Sequence, residues 1–202
     1  MEKHMEQIIG HLREKISLSA SEAVFFTSLL EVRAVKRRDY VLQAGQVCQH
    51  QCFVVSGCLK VSYWDQAGLE HVIKFAPENW WTLDLESFEL QNPAFYTIQA
   101  MEDTKLLMLS KRSYDVLLEK LPQFERFYRI MFQSSFIALS RRMTQNLSMK
   151  AEARYARFLE KYPSLQQRIP QKYIASYLGV TPEHFSYMKR KEMQDYFAKL
   201  SN

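Results

Sequence analysis

Two groups of side chains in this sequence carry chemistry by type and spacing. The first lies between Ile169 and Lys191, where Gln171, Lys172, Thr181, Glu183, His184, Ser186, Tyr187, Lys189 and Arg190 make up a set of donors and acceptors suited to the phosphates and base edges of a duplex. Glu183 can accept from cytosine N4, Ser186 can serve several bases, and Lys189 or Arg190 can grip phosphate or guanine. Singly, each has a plainer reading: Glu183 complements a helix dipole, and Lys189 to Lys191 form a solvated helix end. The second group is Cys48, His50 and Cys52, with Cys58 and His71 nearby. Thiolates and imidazoles bind metals or undergo redox chemistry, but small buried or surface thiols are the default, and a lone histidine at a strand start is more often structural. Neither a metal nor any other cofactor is expected.

The first group needs elements that hold it in register. Ile174, Leu178, Phe185 and Met188 are spaced to join two short helices, and Ala175 is small enough to let the second cross closely over the first. Gly179 falls where the first helix must stop and reverse, a position that favours left-handed backbone. Thr181 can cap the next helix, and Pro182 suits its first turn because that nitrogen has no intrahelical partner. The block therefore predicts a helix-turn-helix whose second helix enters the major groove.

Charge agrees with that placement. The chain of 202 residues has a formal net charge of +5, yet residues 141–202 alone hold 12 basic against 5 acidic side chains, so everything before them is slightly acidic. A polyanion partner for the last third follows, since Lys and Arg gain affinity by displacing counterions from phosphate. The 47% hydrophobic content is enough to build real cores in one large or two small domains. No run of about 18 apolar residues is present, and the charged start Met1 to His11 lacks the apolar stretch of a secretion signal. A cytoplasmic protein with no membrane partner is expected, its three cysteines reduced.

Upstream, Ile8, Leu12, Ile16 and then Ala23, Phe26, Leu30 are spaced as short helices. From Glu31 the texture changes to short β-rich runs, Val32–Val35, Tyr40–Leu42, Cys52–Val55, Leu59–Trp64, Val72–Phe75, Thr97–Ala100 and Lys105–Leu109, punctuated by Ala44-Gly45, Ser56-Gly57 and Asp65 to Gly68. This predicts an antiparallel β-roll. After Ser110 the pattern is helical again. Tyr128, Phe132, Phe136, Leu139, Met143 and Leu147 share one stripe, so either a core helix or a dimerisation helix is implied, the latter with Phe132, Phe136, Leu139 and Met143 at the interface. A further helix over 150–162 ends at Pro163. The expected class is α+β, with residues 1–120 forming the roll and N-terminal helices, 121–148 the long helix and 149–202 the helix-turn-helix domain.

This order of parts resembles the Crp/Fnr family of transcription regulators over nearly the whole chain, most specifically in Cys52-Phe53-Val54-Val55-Ser56-Gly57-Cys58-Leu59-Lys60-Val61 and in Ile169 to Lys191. The resemblance implies a cyclic-nucleotide-binding-like jelly roll and a homodimer on a near-palindromic DNA site. It also implies an effector state in the roll that alters how the DNA-binding heads are presented, and RNA polymerase as a candidate partner. Cyclic-AMP-binding members usually carry a Gly-Glu pair and an Arg-Ser/Thr-Ala cassette. Here the region reads Phe75-Ala76-Pro77-Glu78-Asn79-Trp80-Trp81 and then Pro93-Ala94-Phe95-Tyr96-Thr97, with no arginine to neutralise a buried phosphate, so cyclic AMP binding is expected to be absent or weak. Trp80, Trp81, Leu83, Tyr96 and Thr97 either line a pocket for another small-molecule effector or fill the roll's core. Glu183 and Ser186 match family reading positions, whereas Tyr187 stands where arginine is common. Only Glu192 to Asn202 follows, which implies a reduced or missing wing. Three cysteines do not supply the four thiolates of an iron-sulfur sensor. No nucleophile elbow, phosphate loop or metal-ligand spacing supports an enzyme. The competing reading is a sensor or protein-interaction module that does not bind DNA.

Overall fold

The computed structural model describes the backbone of residues 2–200 and the side chains of residues 3–191, and it divides into two compact units. The first comprises residues 1–63 and 73–137, the second residues 64–72 and 138–202.

The first unit opens with α1 (Glu2–Arg13) and α2 (Ala20–Ser28). α2 starts where Ser19 and Glu22 form a reciprocal cap, the Ser19 hydroxyl accepting from the Glu22 amide and the Glu22 carboxylate accepting from the Ser19 amide. Leu30, placed with the helices by spacing, instead begins β1 (Leu30–Val35), because it pairs in register with Leu109. The remaining strands are β2 (Tyr40–Leu42), β3 (His50–Ser56), β4 (Leu59–Trp64), β5 (Glu70–Ala76), β6 (Trp81–Thr82), β7 (Thr97–Ala100) and β8 (Thr104–Ser110). They form two four-stranded sheets in the orders β1-β8-β3-β6 and β2-β7-β4-β5. Every β-rich run expected from the sequence is present as a strand. β6 and the short helix α3 (Leu85–Leu90) are additions, too brief to show a period.

β3 is buried along five consecutive residues, Gln51 to Val55. Its neighbours explain why. One face meets the sheet interior and Phe53 lies 5.5 Å from the His11 ring of α1, so both faces are covered. α4 (Lys111–Lys120) and the long α5 (Gln123–Ser148) complete the layer, with Phe124, Phe127 and Tyr128 buried. The Tyr128 hydroxyl receives a 2.9 Å hydrogen bond from Gln51 inside this core, and burial pushes its pKa well above the ordinary value. The turn between β3 and β4 depends on Gly57. Its φ is +94°, and a Cβ there would lie 2.5 Å from Thr104 Oγ1 and 2.8 Å from the Asp103 carbonyl oxygen.

The second unit contains α6 (Ala151–Lys161), α7 (Leu165–Arg168), α8 (Gln171–Leu178) and α9 (Pro182–Leu200), with the end of α5 and the β4–β5 tip. The long helix is thus shared between units, and the hairpin tip, 64–72, groups with the C-terminal helices. An aromatic core holds the helices together: Phe158 lies 5.5 Å from Tyr177, and Tyr155 meets Phe185 edge-on at 5.1 Å. Asp65 organises the tip, its carboxylate accepting from the amides of Ala67 and Leu69 and pairing with His71 Nε2 at 2.7 Å. The Ser176 hydroxyl of α8 then accepts from the Val72 amide and donates to the Glu70 carbonyl, seating the tip on the helix. Residues 192–200 continue α9 as helix, in the place where a reduced or missing wing was expected, and Ser201 and Asn202 lie outside the described residues. Among the described residues, no helix is long and apolar enough to cross a membrane.

Candidate nucleic-acid interface

The helix-turn-helix residues have the burial their spacing requires. Ile174, Ala175, Leu178, Phe185 and Met188 are all buried, and they join α8 to α9. Gly179 ends α8 in the left-handed region at φ 67°, ψ 38°, its amide donating back to the Ala175 and Ser176 carbonyls. Thr181 then caps α9, its hydroxyl accepting from the His184 amide at 3.2 Å, with Pro182 as the first helical residue.

With the apolar side turned inward, the polar side of α9 faces outward. Thr181, Glu183, His184, Ser186, Tyr187 and Arg190 are exposed and Lys189 is half-buried. Ser186, Lys189 and Arg190 converge with Gln171 from the start of α8 on one shallow depression of about 450 Å³. Two cations, a hydroxyl and an amide are thereby presented together on one surface. Lys172, Thr181 and His184 are placed differently: with Trp64, Leu69 and His71 of the hairpin tip they line a second cavity of about 780 Å³. Glu183 and Tyr187 belong to neither depression, and Tyr187 keeps 57% of its surface exposed.

Along α5 the apolar stripe is unequally covered. Tyr128 is buried and Phe132 half-buried, stacked on Tyr128 at 6.1 Å. Phe136, Leu139, Met143 and Leu147 are each at least 60% exposed. Four large apolar side chains at helical spacing on one open face are costly in water and fit a partner surface.

In the roll, the candidate effector residues separate. Trp81 belongs to the core, packed 5.4 Å from Phe53 and 6.1 Å from Phe127. Trp80, Leu83 and Tyr96 are half-buried against that core, and Thr97 is buried, its hydroxyl accepting from the Ala44 amide. A residue that sequence reasoning missed organises this region. The buried Asp84 caps α3 through the Ser87 amide at 3.1 Å and accepts from the amides of Phe95 and Tyr96, both at 3.0 Å. The turn before β7 is therefore already occupied by a carboxylate of the chain, and an entering phosphate would meet like charge there.

The cysteines are placed for packing. All three are buried, and burial pushes the thiol pKa of Cys48 up and that of Cys52 to about 12, which suppresses the nucleophilic thiolate. Among the described residues, no group of three or more His, Cys, Asp or Glu side chains is arranged to hold a metal ion.

Residues 32–120 match the cyclic nucleotide-binding domain family. The fold is that of Crp/Fnr-type regulators. Three solved structures illustrate it. The c-di-GMP responsive global regulator CLP of Xanthomonas campestris aligns with TM-score 0.71 at 14% identity, over 88% of this chain and 93% of that one. FixK2 from Bradyrhizobium japonicum aligns with TM-score 0.73 at 15% identity, over 82% of this chain and 85% of that one. A putative transcriptional regulator of the Crp/Fnr family from Eubacterium rectale gives TM-score 0.69 at 19% identity, over 88% and 85%. At these identities the likeness is one of fold. No curated protein matches the sequence.

Proposed function

We propose that this protein is a transcription regulator of Crp/Fnr type that binds double-stranded DNA as a homodimer. In this reading residues 1–120 form the sensor, 121–148 the dimer helix and 149–202 the DNA-binding domain, acting in the cytoplasm with RNA polymerase as a further partner. α9 enters the major groove with Glu183, Ser186 and Tyr187 toward base edges, while Gln171, Lys172, Thr181, His184, Lys189 and Arg190 meet phosphates or guanine. Phe132, Phe136, Leu139 and Met143 form the symmetric seam. The observation that carries this reading is the convergence of Gln171, Ser186, Lys189 and Arg190 on one exposed face of a helix pair closed by Gly179. In this reading cyclic AMP binding is absent or weak, supported by Asp84 occupying the amides of Phe95 and Tyr96 and by the lack of an arginine in residues 93–97. If an effector binds the roll, Trp80, Leu83 and Tyr96 border its site; Trp81 and Thr97 act behind them.

The test is selection of a random duplex library on the purified protein, repeated with Glu183→Ala, and a salt titration of the winning sequence. A two-fold symmetric motif whose base preferences change with Glu183→Ala, and whose affinity falls steeply with salt, is expected. Enrichment of no motif at low salt would turn the reading toward a sensor or interaction module that does not bind DNA.

A further inference from the structure

The second unit holds a cavity of about 550 Å³ that the DNA reading leaves unused, bounded by the last turns of α5, by α6 and by the C-terminal end of α8. Its lining carries five cations, Arg141, Arg142, Arg154, Arg157 and Lys161, against one carboxylate, Glu160. That carboxylate is paired with Arg157 at 2.7 Å, and the lining holds no second one.

Two of these cations are fixed in place. Arg142 donates to the Tyr177 carbonyl at 2.7 Å and lies 4.0 Å over the Tyr177 ring. Arg154 bridges the ends of two helices, donating to the Met149 carbonyl at 2.7 Å and to the Leu178 carbonyl at 2.9 Å, while its buried Nε has no hydrogen-bond partner. Arg141 and Lys161 are exposed members of the same lining. Surrounding protein and the Arg142 charge lower the Lys161 pKa, as expected where cations are gathered at a partly dehydrated wall. Holding like charges together is unfavourable by itself, and a bound oxyanion relieves it. Gln145 and Asn146 add neutral donors, and Phe158 with Leu178 adds an apolar surface.

We propose that this cavity binds a small phosphorylated molecule carrying at least two negative charges. Its size is within the range of ordinary small-molecule sites. The DNA backbone presents the same phosphate chemistry, but the cavity shares no lining residue with the depression formed by Gln171, Ser186, Lys189 and Arg190. At 100° per residue, Ala138, Arg141, Arg142 and Gln145 also lie on a different face of α5 from Phe136, Leu139 and Met143, so a second copy on that stripe leaves the cavity open. The proposal stands on the cavity alone, whether or not α9 reads DNA.

Calorimetric titration of the full chain with sodium pyrophosphate, and separately with adenosine triphosphate, tests it. Saturable binding of one anion per chain is expected, weakened at least tenfold by Arg141→Glu with Lys161→Glu and changed less than twofold by Lys189→Glu with Arg190→Glu. Sulfate at equal ionic strength should bind more weakly. The pair Arg141→Ala with Lys161→Ala, both at exposed positions and checked by circular dichroism, separates loss of charge from loss of fold. Absence of saturable binding, or equal weakening by both charge-reversal pairs, would overturn the proposal. So would a loss of duplex affinity in the cavity variant as large as its loss of pyrophosphate affinity, because the cavity would then be a site for backbone phosphate.

Discussion

The two units treat their polar groups in opposite ways. In the β-roll several polar groups are satisfied from within: Asp84 occupies the amides of Phe95 and Tyr96, and the Gln51 side chain donates to the Tyr128 hydroxyl. In the helical unit the polar groups are presented outward, with Gln171, Ser186, Lys189 and Arg190 on one face and five cations around a separate cavity. The difference follows the charge division of the chain, in which residues 141–202 hold 12 of the 27 basic side chains and only 5 of the 22 acidic ones. A region that completes its own hydrogen bonds gains stability. A region that leaves cations exposed gains a use for an external anion.

If this contrast is correct, substitutions in the roll cost stability while those in the helical unit cost binding. The largest effect is expected for Gly57→Ala, which combines a positive φ with overlap on the Asp103 and Thr104 backbone. A loss of about 3 kcal/mol or more in urea unfolding followed by tryptophan fluorescence is expected. Asp84→Ala should cost about 2–3 kcal/mol, because it strands the Phe95 and Tyr96 amides as well as the α3 cap, and Asp84→Asn should restore only part of this. An Asp84→Ala variant as stable as the parent would break the contrast. Leu139→Asp, at an exposed position, should shift the sedimentation coefficient to that of a monomer and abolish the concentration dependence of the melting temperature. Lys189→Ala should weaken duplex binding by about 1 kcal/mol and reduce the slope of log affinity against log salt by about one, with no change in unfolding.

The smallest effect concerns His11, half-buried between the Phe53 and Phe127 rings. Burial, and secondarily the Lys15 charge, lower its pKa below the ordinary 6.5. As pH falls through 6.5 the unfolded chain takes up this proton before the folded one does. Stability is therefore lost as pH drops from about 6.5 toward the lowered folded value, and the loss levels off below it. Replacement by phenylalanine should flatten that portion of the stability profile, which urea titrations at several pH values would detect.

Legibility in the sequence tracked the range of the interactions involved. Strands such as Leu59–Trp64 and Thr104–Ser110 announce themselves as short, largely buried apolar runs, and the set Ile174, Leu178, Phe185 and Met188 by burial at helical spacing. Gly179 and Thr181 were readable for a related reason, since turn and cap chemistry is local. Asp84 was not, because a single carboxylate between Leu83 and Leu85 has no period, and its value comes from amides eleven and twelve residues away. The seating of Ser176 on Glu70 and Val72 spans more than a hundred residues and leaves no local trace. The basic cavity was visible only as an excess of charge, since its cations come from two helices and the third, α8, contributes aromatic and carbonyl groups.

Asp84 has one further consequence. A site completed by a freely diffusing ligand follows mass action, and its occupancy rises and falls with concentration. The carboxylate that closes the turn before β7 is tethered to the same chain, so its effective concentration is fixed by the backbone and is the same in every cell state. At that turn the roll has a permanent resident, and a ligand bordered by Trp80, Leu83 and Tyr96 would have to bind beside it rather than in its place.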